Sequence, residues 1–317
     1  MKKILITRKL IKSSEEYALK IFSVKLNKQD KLLTKNELID KSKDCDGILS
    51  SITDKLDANI ILKLSDQVKI ISNFAVGFGN IDVEAATKRN IIVTNTPDVL
   101  TDATAEIAIL VLLGAARRAK EGIEWVKKKD WTWSANFLIG KQLTGSRLGI
   151  LGMGRIGRAV AKIAKTFGMK IHYYNRNRLN KDLEKDAIYH KSLESLLSVS
   201  DFFSINCPAT KETKNIINEK TIEYFPDGAV ISNSARGDMI EDEAMVKALK
   251  RGKIFSLGLD VYNGEPNIHP EYLNLPNVFV LPHLGSATKK TRVAMADLAI
   301  SNIDEFFKTG KCINAIN

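Results

Sequence analysis

The chain has 317 residues, of which 44% are hydrophobic and 27% charged, and its formal net charge is +11. This length predicts about two domains, and the apolar content excludes a disordered, collagen-like or low-complexity protein. A basic excess suits an anionic small molecule, a nucleic acid or an anionic membrane surface. The lysines are scattered, however, and no arginine-rich or aromatic-interleaved stretch occurs. We therefore expect neither a nucleic-acid nor a membrane partner.

Export and membrane insertion are not expected. The longest apolar run, residues 107–116, is well short of the roughly 20 residues that cross a bilayer. Only four residues of the first apolar stretch precede Arg8 and Lys9, too few for the core of a signal peptide. The three cysteines form neither a disulfide framework nor a Cys-x-x-Cys motif. We expect a cytoplasmic protein without a metal site.

Short apolar segments alternate with helical segments along the chain. The first predicted strands cover residues 3–7, 47–50, 68–72 and 91–94, with helices between them. The part of the chain after about residue 100 repeats this alternation in longer units. Such a pattern predicts parallel sheets that are covered by helices.

A turn cluster at residues 95–98, Asn-Thr-Pro-Asp, ends the first series, because proline restricts its own φ and the preceding residue. A long helix follows, with Asp102 expected as its N-cap and Glu106 in its first turn. This helix is apolar nearly all round, Leu110 included. It is therefore expected to be buried in a core or at a subunit interface. We place a domain boundary at the turn cluster.

A glycine motif follows the predicted strand at residues 147–151. It consists of Gly152, Gly154 and Gly157 in the spacing Gly-x-Gly-x-x-Gly, and a helix is expected at residues 158–167. The first glycine allows a tight turn, the second lets the backbone approach a pyrophosphate, and the third permits close helix–strand packing. The helix N-terminus supplies N–H groups for phosphates. A chance glycine-rich turn would not have this context, so the motif predicts a dinucleotide site.

The residue after the next strand, predicted at 169–174, bears on the choice of cofactor. A carboxylate there would bind the ribose hydroxyls of NAD and repel the 2′-phosphate of NADP. This chain has Asn175 instead, followed by Arg176 and Arg178, which can reach a phosphate. We predict a preference for NADP(H), with NAD(H) possible. The alternative is that both arginines are merely solvated and that the protein uses both cofactors.

Three polar residues follow later strands, whose carboxyl ends meet at one edge of a parallel sheet. Reduction of a 2-keto acid needs such a set: a histidine to protonate the developing alkoxide, a carboxylate to orient the imidazole, and an arginine to bind the substrate carboxylate. Singly, each residue could be structural, as we expect for His172, His190 and His269. The predicted catalytic residues are Arg236, Glu265 and His283, after strands expected at residues 229–233, 255–259 and 277–281.

These residues lie in segments that resemble the D-isomer-specific 2-hydroxyacid dehydrogenases over essentially the whole chain. The matching segments are residues 152–157, Asn-Ser-Ala-Arg-Gly-Asp at 233–238, Gly-Leu-Asp-Val-Tyr at 258–262 with Gly-Glu-Pro at 264–266, and Pro-His-Leu-Gly-Ser at 282–286. The resemblance implies an α/β protein of two doubly wound parallel-sheet domains. A flavodoxin-like substrate domain, residues 1–98 and 286–317, would flank an inserted Rossmann dinucleotide-binding domain, residues 99–285. The family also implies a homodimer.

The resemblance extends to individual site residues. The backbone N–H groups of Val76 and Gly77 are expected to hold the substrate anion together with Arg236, in a pocket near Ser51. Trp133 is expected to reach the substrate pocket of the partner subunit. Cofactor contacts are expected at the three glycines of the motif, at Asn175, Arg176, Arg178 and His283, and at ten further residues. These are Thr104, Arg155, Ile156, Cys207, Pro208, Thr213, Ser234, Ala235, Asp260 and Gly285.

Residues 94–106 look most like the glyoxylate/hydroxypyruvate reductases, which implies an NADPH-preferring enzyme that forms glycolate or D-glycerate. One alternative is an NAD-dependent D-3-phosphoglycerate or D-lactate dehydrogenase. Another is a dinucleotide-sensing scaffold similar to corepressor relatives, disfavoured because the chain has no disordered tail. Phe78 and Gly79 stand where many relatives have Tyr-Asp, a departure in the substrate pocket.

Overall fold

The computed structural model describes residues 1–317 and divides into two compact units. One unit comprises Met1–Leu100 together with Ala287–Asn317, and the other comprises Thr101–Ser286. The boundaries lie within two residues of those drawn from the sequence. No helix combines the length and the apolar character that crossing a bilayer requires.

The discontinuous unit contains a five-stranded sheet with the order β2-β1-β3-β4-β5, in which every pairing is parallel. This is the flavodoxin-like order of a doubly wound sheet. The edge strand β2 was not anticipated. The elements are β1 Lys3–Ile6, α1 Lys12–Ile21, β2 Ser23–Leu26, α2 Lys35–Ser42, β3 Gly47–Ser51, α3 Ala58–Ile61, β4 Ile70–Phe74, α4 Val83–Lys88, β5 Ile92–Thr94 and α13 Lys289–Thr309.

The inserted unit contains a seven-stranded parallel sheet with the order β12-β11-β10-β9-β6-β7-β8. The chain reverses its direction of winding between β6 and β9, as in a Rossmann fold, where ligands bind at that reversal. The elements are α5 Thr101–Ala116, α6 Ala119–Lys128, β6 Arg147–Leu151, α7 Arg155–Thr166, β7 Lys170–Tyr174, α8 Lys181–Glu184, β8 Ile188–Tyr189, α9 Leu193–Leu197, β9 Phe202–Ile205, α10 Glu219–Ile222, β10 Ala229–Asn233, α11 Asp242–Lys250, β11 Ile254–Leu259, α12 Pro270–Asn274 and β12 Val278–Val280. The predicted fold class is thus confirmed.

Helix α5 packs against α7 and against strands β10 and β11 of the seven-stranded sheet. Most of its residues are buried, as expected for a helix in a core, whereas Leu110 is 45% exposed in the single chain. The helix begins at Thr101, so Asp102 lies inside the first turn and is not the N-cap. Helix α7 also begins three residues earlier than predicted, at Arg155, and so starts within the glycine motif.

Candidate active site

The glycine motif forms the turn between β6 and α7 at the point where the winding reverses. Gly152 has a φ of 93°, a left-handed conformation that side chains rarely adopt. A Cβ on Gly157 would overlap the carbonyl oxygen of Gly152, whereas the space around Gly154 is open for 4 Å. The tight turn, the open approach and the close packing that the motif predicts are therefore all present.

The surroundings of the motif suit a phosphate-bearing dinucleotide. Helix α7 has no side chain capping its N-terminus, so its first N–H groups are available to an anion. Two side chains at the carboxyl ends of neighbouring strands have buried oxygens without a hydrogen-bond partner: Asn206 Oδ1 after β9 and Ser234 Oγ after β10. Buried polar atoms are almost always satisfied. These two are therefore suited to bind a ligand.

The turn after β7 carries the residues expected to choose the cofactor. Asn175 Oδ1 accepts a hydrogen bond of 2.7 Å from the backbone N–H of Met153 in the glycine loop. Arg176 is exposed and its side chain forms no hydrogen bond or ion pair. Arg178, predicted as a second phosphate contact, is paired with Glu184 through two hydrogen bonds of 2.7 Å each. Sequence reasoning did not identify Glu184.

His283 and Glu265 meet directly. His283 Nδ1 lies 2.8 Å from Glu265 Oε2, and the second carboxylate oxygen, Oε1, accepts the N–H of Tyr262 at 3.1 Å. Burial on its own raises the pKa of Glu265. The bond to His283 and the charges of His283 and Arg236 outweigh burial and lower the pKa below its usual value. Glu265 is therefore ionised at neutral pH and can orient the imidazole.

His283 is held in a left-handed backbone conformation with a φ of 57°. Such a conformation costs a non-glycine residue about 1–3 kcal/mol. Asp260 supplies the compensating contacts: its carbonyl accepts the N–H of His283 at 2.9 Å, and its carboxylate accepts Leu284 N–H at 2.7 Å and Gly285 N–H at 2.8 Å. Asp260 is fully buried, and burial raises its pKa. It positions the histidine loop.

Arg236 lies in the loop after β10. Gly237 lets this loop contact the 262–263 peptide, where a Cβ would overlap the backbone, and so brings it beside the segment that holds Glu265. The guanidinium donates a 2.6 Å hydrogen bond to Ala235 O and forms no ion pair. Burial lowers the pKa of Arg236, and the carboxylates of Glu265 and Asp238 act in the opposite direction. A partly buried cation without an ion-pair partner is suited to bind an anion.

Other predicted cofactor residues lie in the same unit, along the carboxyl ends of the strands and at the adjoining helix starts. Thr104 Oγ1 donates to Gly285 O at 3.0 Å, and Ala235 N–H donates to Asn233 Oδ1 at 3.0 Å. Thr213 Oγ1 donates to Pro208 O at 3.0 Å, which closes the loop after β9. Burial raises the pKa of Cys207 to about 11, so its thiol is protonated at neutral pH. Arg155 and Ile156 form the first turn of α7.

The predicted substrate-anion loop lies in the discontinuous unit, after β4. Neither Val76 N–H nor Gly77 N–H donates a hydrogen bond within the protein, whereas their carbonyls are both held. Gly77 O accepts Asn73 Nδ2 at 2.9 Å, and Val76 O accepts Asn95 Nδ2 at 2.8 Å. The loop therefore has two unused donors next to each other, as an anion site requires.

A polar network that sequence reasoning missed supports this loop and the Ser51 segment. Asn80 Nδ2 donates to the carbonyls of Ser51 and Asp54 at 3.0 and 3.1 Å. Asp54 is 2% exposed, accepts the N–H of Ser51 at 2.7 Å and is hydrogen-bonded to Thr7. Several of these residues are buried polar side chains. In the sequence, the only feature that could have pointed to these residues is that they follow predicted strands.

Trp133, predicted to reach a partner's pocket, lies in the segment after α6 and is 78% exposed. Several apolar side chains of α5, α6 and that segment are also exposed, by 45% to 64%. They are Leu110, Ile123, Val126, Trp131 and Ile139. No residue of α6 is buried.

Comparisons with known proteins agree with this geometry. The family model for the NAD-binding domain of D-isomer specific 2-hydroxyacid dehydrogenases matches residues 109–285. A glycerate dehydrogenase of Hyphomicrobium methylovorum is 42% identical over 309 residues, 96% of each chain. A glyoxylate reductase of Thermococcus litoralis is 41% identical over 320 residues, 99% of this chain and 96% of that one.

A similar solved structure is the NADPH-dependent glyoxylate/hydroxypyruvate reductase of Sinorhizobium meliloti in complex with NADP and malonate. Its TM-score is 0.88 at 31% identity, and the match covers 99% of this chain and 96% of that one. Taken with the glycine motif and the paired histidine and glutamate, these matches establish that the chain belongs to the D-isomer specific 2-hydroxyacid dehydrogenases, enzymes that use a nicotinamide dinucleotide.

Proposed function

We propose that this enzyme reduces glyoxylate and hydroxypyruvate, with NADPH preferred over NADH, to give glycolate and D-glycerate. The observation that carries the proposal is the 2.8 Å contact of His283 Nδ1 with Glu265, beside a partly buried Arg236. The glyoxylate reductases and the glycerate dehydrogenase among its relatives support this substrate class.

When bound, the reduced nicotinamide supplies the hydride for the carbonyl carbon. His283 gives a proton to the carbonyl oxygen, so that C=O becomes CH–OH. Because Nδ1 of His283 is hydrogen-bonded to Glu265, Nε2 is the ring nitrogen that donates this proton. The ionised Glu265 stabilises the protonated imidazole until the transfer and keeps the ring oriented afterwards.

Arg236 binds the substrate carboxylate and polarises the carbonyl. A guanidinium presents two parallel N–H donors, a geometry that matches a carboxylate. The unused N–H groups of Val76 and Gly77 are proposed to bind the same anionic class of substrate, and Ser51 and Trp133 are proposed to shape the pocket. A small 2-keto acid has the negative charge that these donors require.

The preference for NADPH rests on the turn after β7. Asn175 leaves no carboxylate to repel a 2′-phosphate, and the exposed Arg176 has no partner of its own. The Sinorhizobium meliloti neighbour, which is NADPH-dependent, supports this choice.

A substrate panel tests the proposal. Glyoxylate, hydroxypyruvate, pyruvate and phosphohydroxypyruvate are each assayed with NADPH and with NADH. We expect the highest kcat/KM for glyoxylate or hydroxypyruvate with NADPH. A higher value for phosphohydroxypyruvate or pyruvate with NADH would favour a D-3-phosphoglycerate or D-lactate dehydrogenase. No turnover with any of the four would favour a dinucleotide-sensing scaffold.

We also propose a homodimer that covers the exposed apolar side chains of α5 and α6, since apolar patches of this kind mark interaction sites. Val126 is 64% exposed on α6. Light scattering after size-exclusion chromatography should give the mass of two chains, and Val126→Glu should shift it toward one. A monomeric wild-type protein would contradict the proposal.

We also propose a cytoplasmic setting. The three free cysteines, Cys45, Cys207 and Cys312, are in keeping with it.

A further inference from the structure

The turn that follows β7 is tied down at both ends. We propose that Arg178, Glu184 and Tyr173 form a clamp that holds Arg176 in place for the cofactor's 2′-phosphate. Arg178 is then a positioning residue and not a phosphate ligand. This inference rests on the proposed preference for NADPH.

One end of the turn is fixed to the glycine loop. Asn175 Oδ1 accepts Met153 N–H at 2.7 Å, and Gly152 N–H donates to Tyr174 O at 3.1 Å. The start of the turn therefore moves with the loop that faces the pyrophosphate.

The other end is fixed to the core of the domain. Tyr173 is fully buried in β7, and its hydroxyl donates to Glu184 Oε2 at 2.7 Å and accepts Leu179 N–H at 3.2 Å. Glu184 is 8% exposed and accepts both hydrogen bonds from Arg178. The tyrosine hydroxyl thus connects the end of the turn to the strand from which the turn begins.

The Arg178 guanidinium also makes a cation–π contact. Its Cζ lies 5.6 Å from the ring centre of Tyr189, and the ring centres of Tyr189 and Tyr173 are 5.3 Å apart. If Arg178 moved to a phosphate, the nearly buried Glu184 carboxylate would lose its cation, a costly state. The contacts with Arg178 and Tyr173 lower the pKa of Glu184 to about 2, so the pair persists throughout the neutral range.

Only Arg176 and Asn177 lie between these two anchors. Both are exposed, and neither side chain has a hydrogen-bond or ion-pair partner. A turn fixed at both ends limits where the Arg176 side chain can reach, which reduces the ordering cost of binding an anion. Arg176 is therefore the specificity residue, and its effect depends on the clamp.

Two variants separate the clamp from direct phosphate binding, because neither altered side chain is an arginine. Glu184→Gln removes the charge that retains Arg178, and Tyr173→Phe removes only the hydroxyl. Dissociation constants for NADPH and NADH are measured by fluorescence titration of the full-length protein. The matched control is Glu223→Gln, which breaks the ion pair with Arg251 just before β11, in the opposite half of the sheet.

The clamp predicts weaker NADPH binding in Glu184→Gln and in Tyr173→Phe by about three- to tenfold, part of the roughly ten- to hundredfold expected for Arg176→Ala. NADH binding and kcat at saturating NADPH should stay near wild type, as should every value for the control. If Arg178 bound the phosphate itself, its release in Glu184→Gln would leave NADPH binding unchanged or tighter.

Selective loss in Arg176→Ala, with wild-type binding in both clamp variants, would overturn the clamp alone. Equal losses for NADPH and NADH in the clamp variants would also overturn it, since they would indicate general damage to the domain. Equal binding of the two cofactors by the wild type would overturn the cofactor preference, and the clamp with it.

Discussion

The two halves of the seven-stranded sheet hold their functional side chains in different ways. On the β10–β12 half, His283 and Arg236 are partly buried, Glu265 is hydrogen-bonded to His283, and a buried Asp260 fixes the histidine loop through three hydrogen bonds. On the β6–β8 half, the Arg176 side chain is exposed and makes no hydrogen bond, whereas Asn175 and Arg178 on either side of it are hydrogen-bonded. Side chains that carry out the reaction and side chains that select the cofactor should therefore respond to substitution independently.

Replacing His283 should have the largest effect. His283→Ala removes the proton donor, so kcat should fall by at least about a hundredfold with either cofactor, the range typical of a lost general acid. Steady-state reduction of glyoxylate measures this. The matched control is His190→Ala, in which the lost histidine pairs with His172 on the other half of the sheet. Near-wild-type rates for His283→Ala would overturn the assigned role.

The second-largest effect is expected for Arg236→Lys. Lysine keeps the charge but not the two parallel donors, so kcat/KM for glyoxylate should fall by about a hundredfold. The same assay with Arg251→Lys, an exposed arginine outside the site, should give wild-type values. A rise in KM with kcat unchanged would indicate that Arg236 binds the substrate without polarising its carbonyl.

Arg176→Ala should affect one cofactor only. Loss of a charge-assisted phosphate contact should lower kcat/KM with NADPH by roughly ten- to hundredfold, while the value with NADH stays within about twofold. The NADH assay of the same preparation is the control. Equal losses with both cofactors would argue against a 2′-phosphate contact.

The smallest effect concerns stability and its dependence on pH. The pKa of Glu184 is lowered from 4.5 to about 2 in the folded protein, so ionised Glu184 stabilises the fold above pH 4.5. This stabilisation is lost as the pH falls from 4.5 toward 2. The Tm difference between wild type and Glu184→Gln should be constant from pH 7.5 to 5.5 and smaller at pH 3.5. A difference that grows in acid would contradict the ion pair.

Much of the fold could be predicted because the main strands are short apolar runs between helices. Strand β2 was missed because it is a partly exposed edge strand of mixed polarity, Ser-Val-Lys-Leu. The sequence predicts a later start for α7 than the structure has, because the helix begins inside the glycine motif and glycines are poor helix formers.

In the site, residues directly after strands could be predicted because parallel strands end at one edge. The partner of Arg178 could not, because Glu184 lies on α8 and only the folded chain brings the two together. Two asparagines around the Val76–Gly77 loop could not be identified for the same reason: Asn80 donates to Ser51 O, 29 residues away in the sequence, and Asn95 donates to Val76 O, 19 residues away.

The double variant His283→Ala/Arg176→Ala tests most directly whether reaction and cofactor choice are carried by separate groups. For side chains that do not interact, free-energy effects add. We expect the loss of kcat/KM with NADPH to equal the product of the two single losses, and the loss with NADH to equal that of His283→Ala alone. A double variant no slower with NADPH than the slower single variant would contradict this separation.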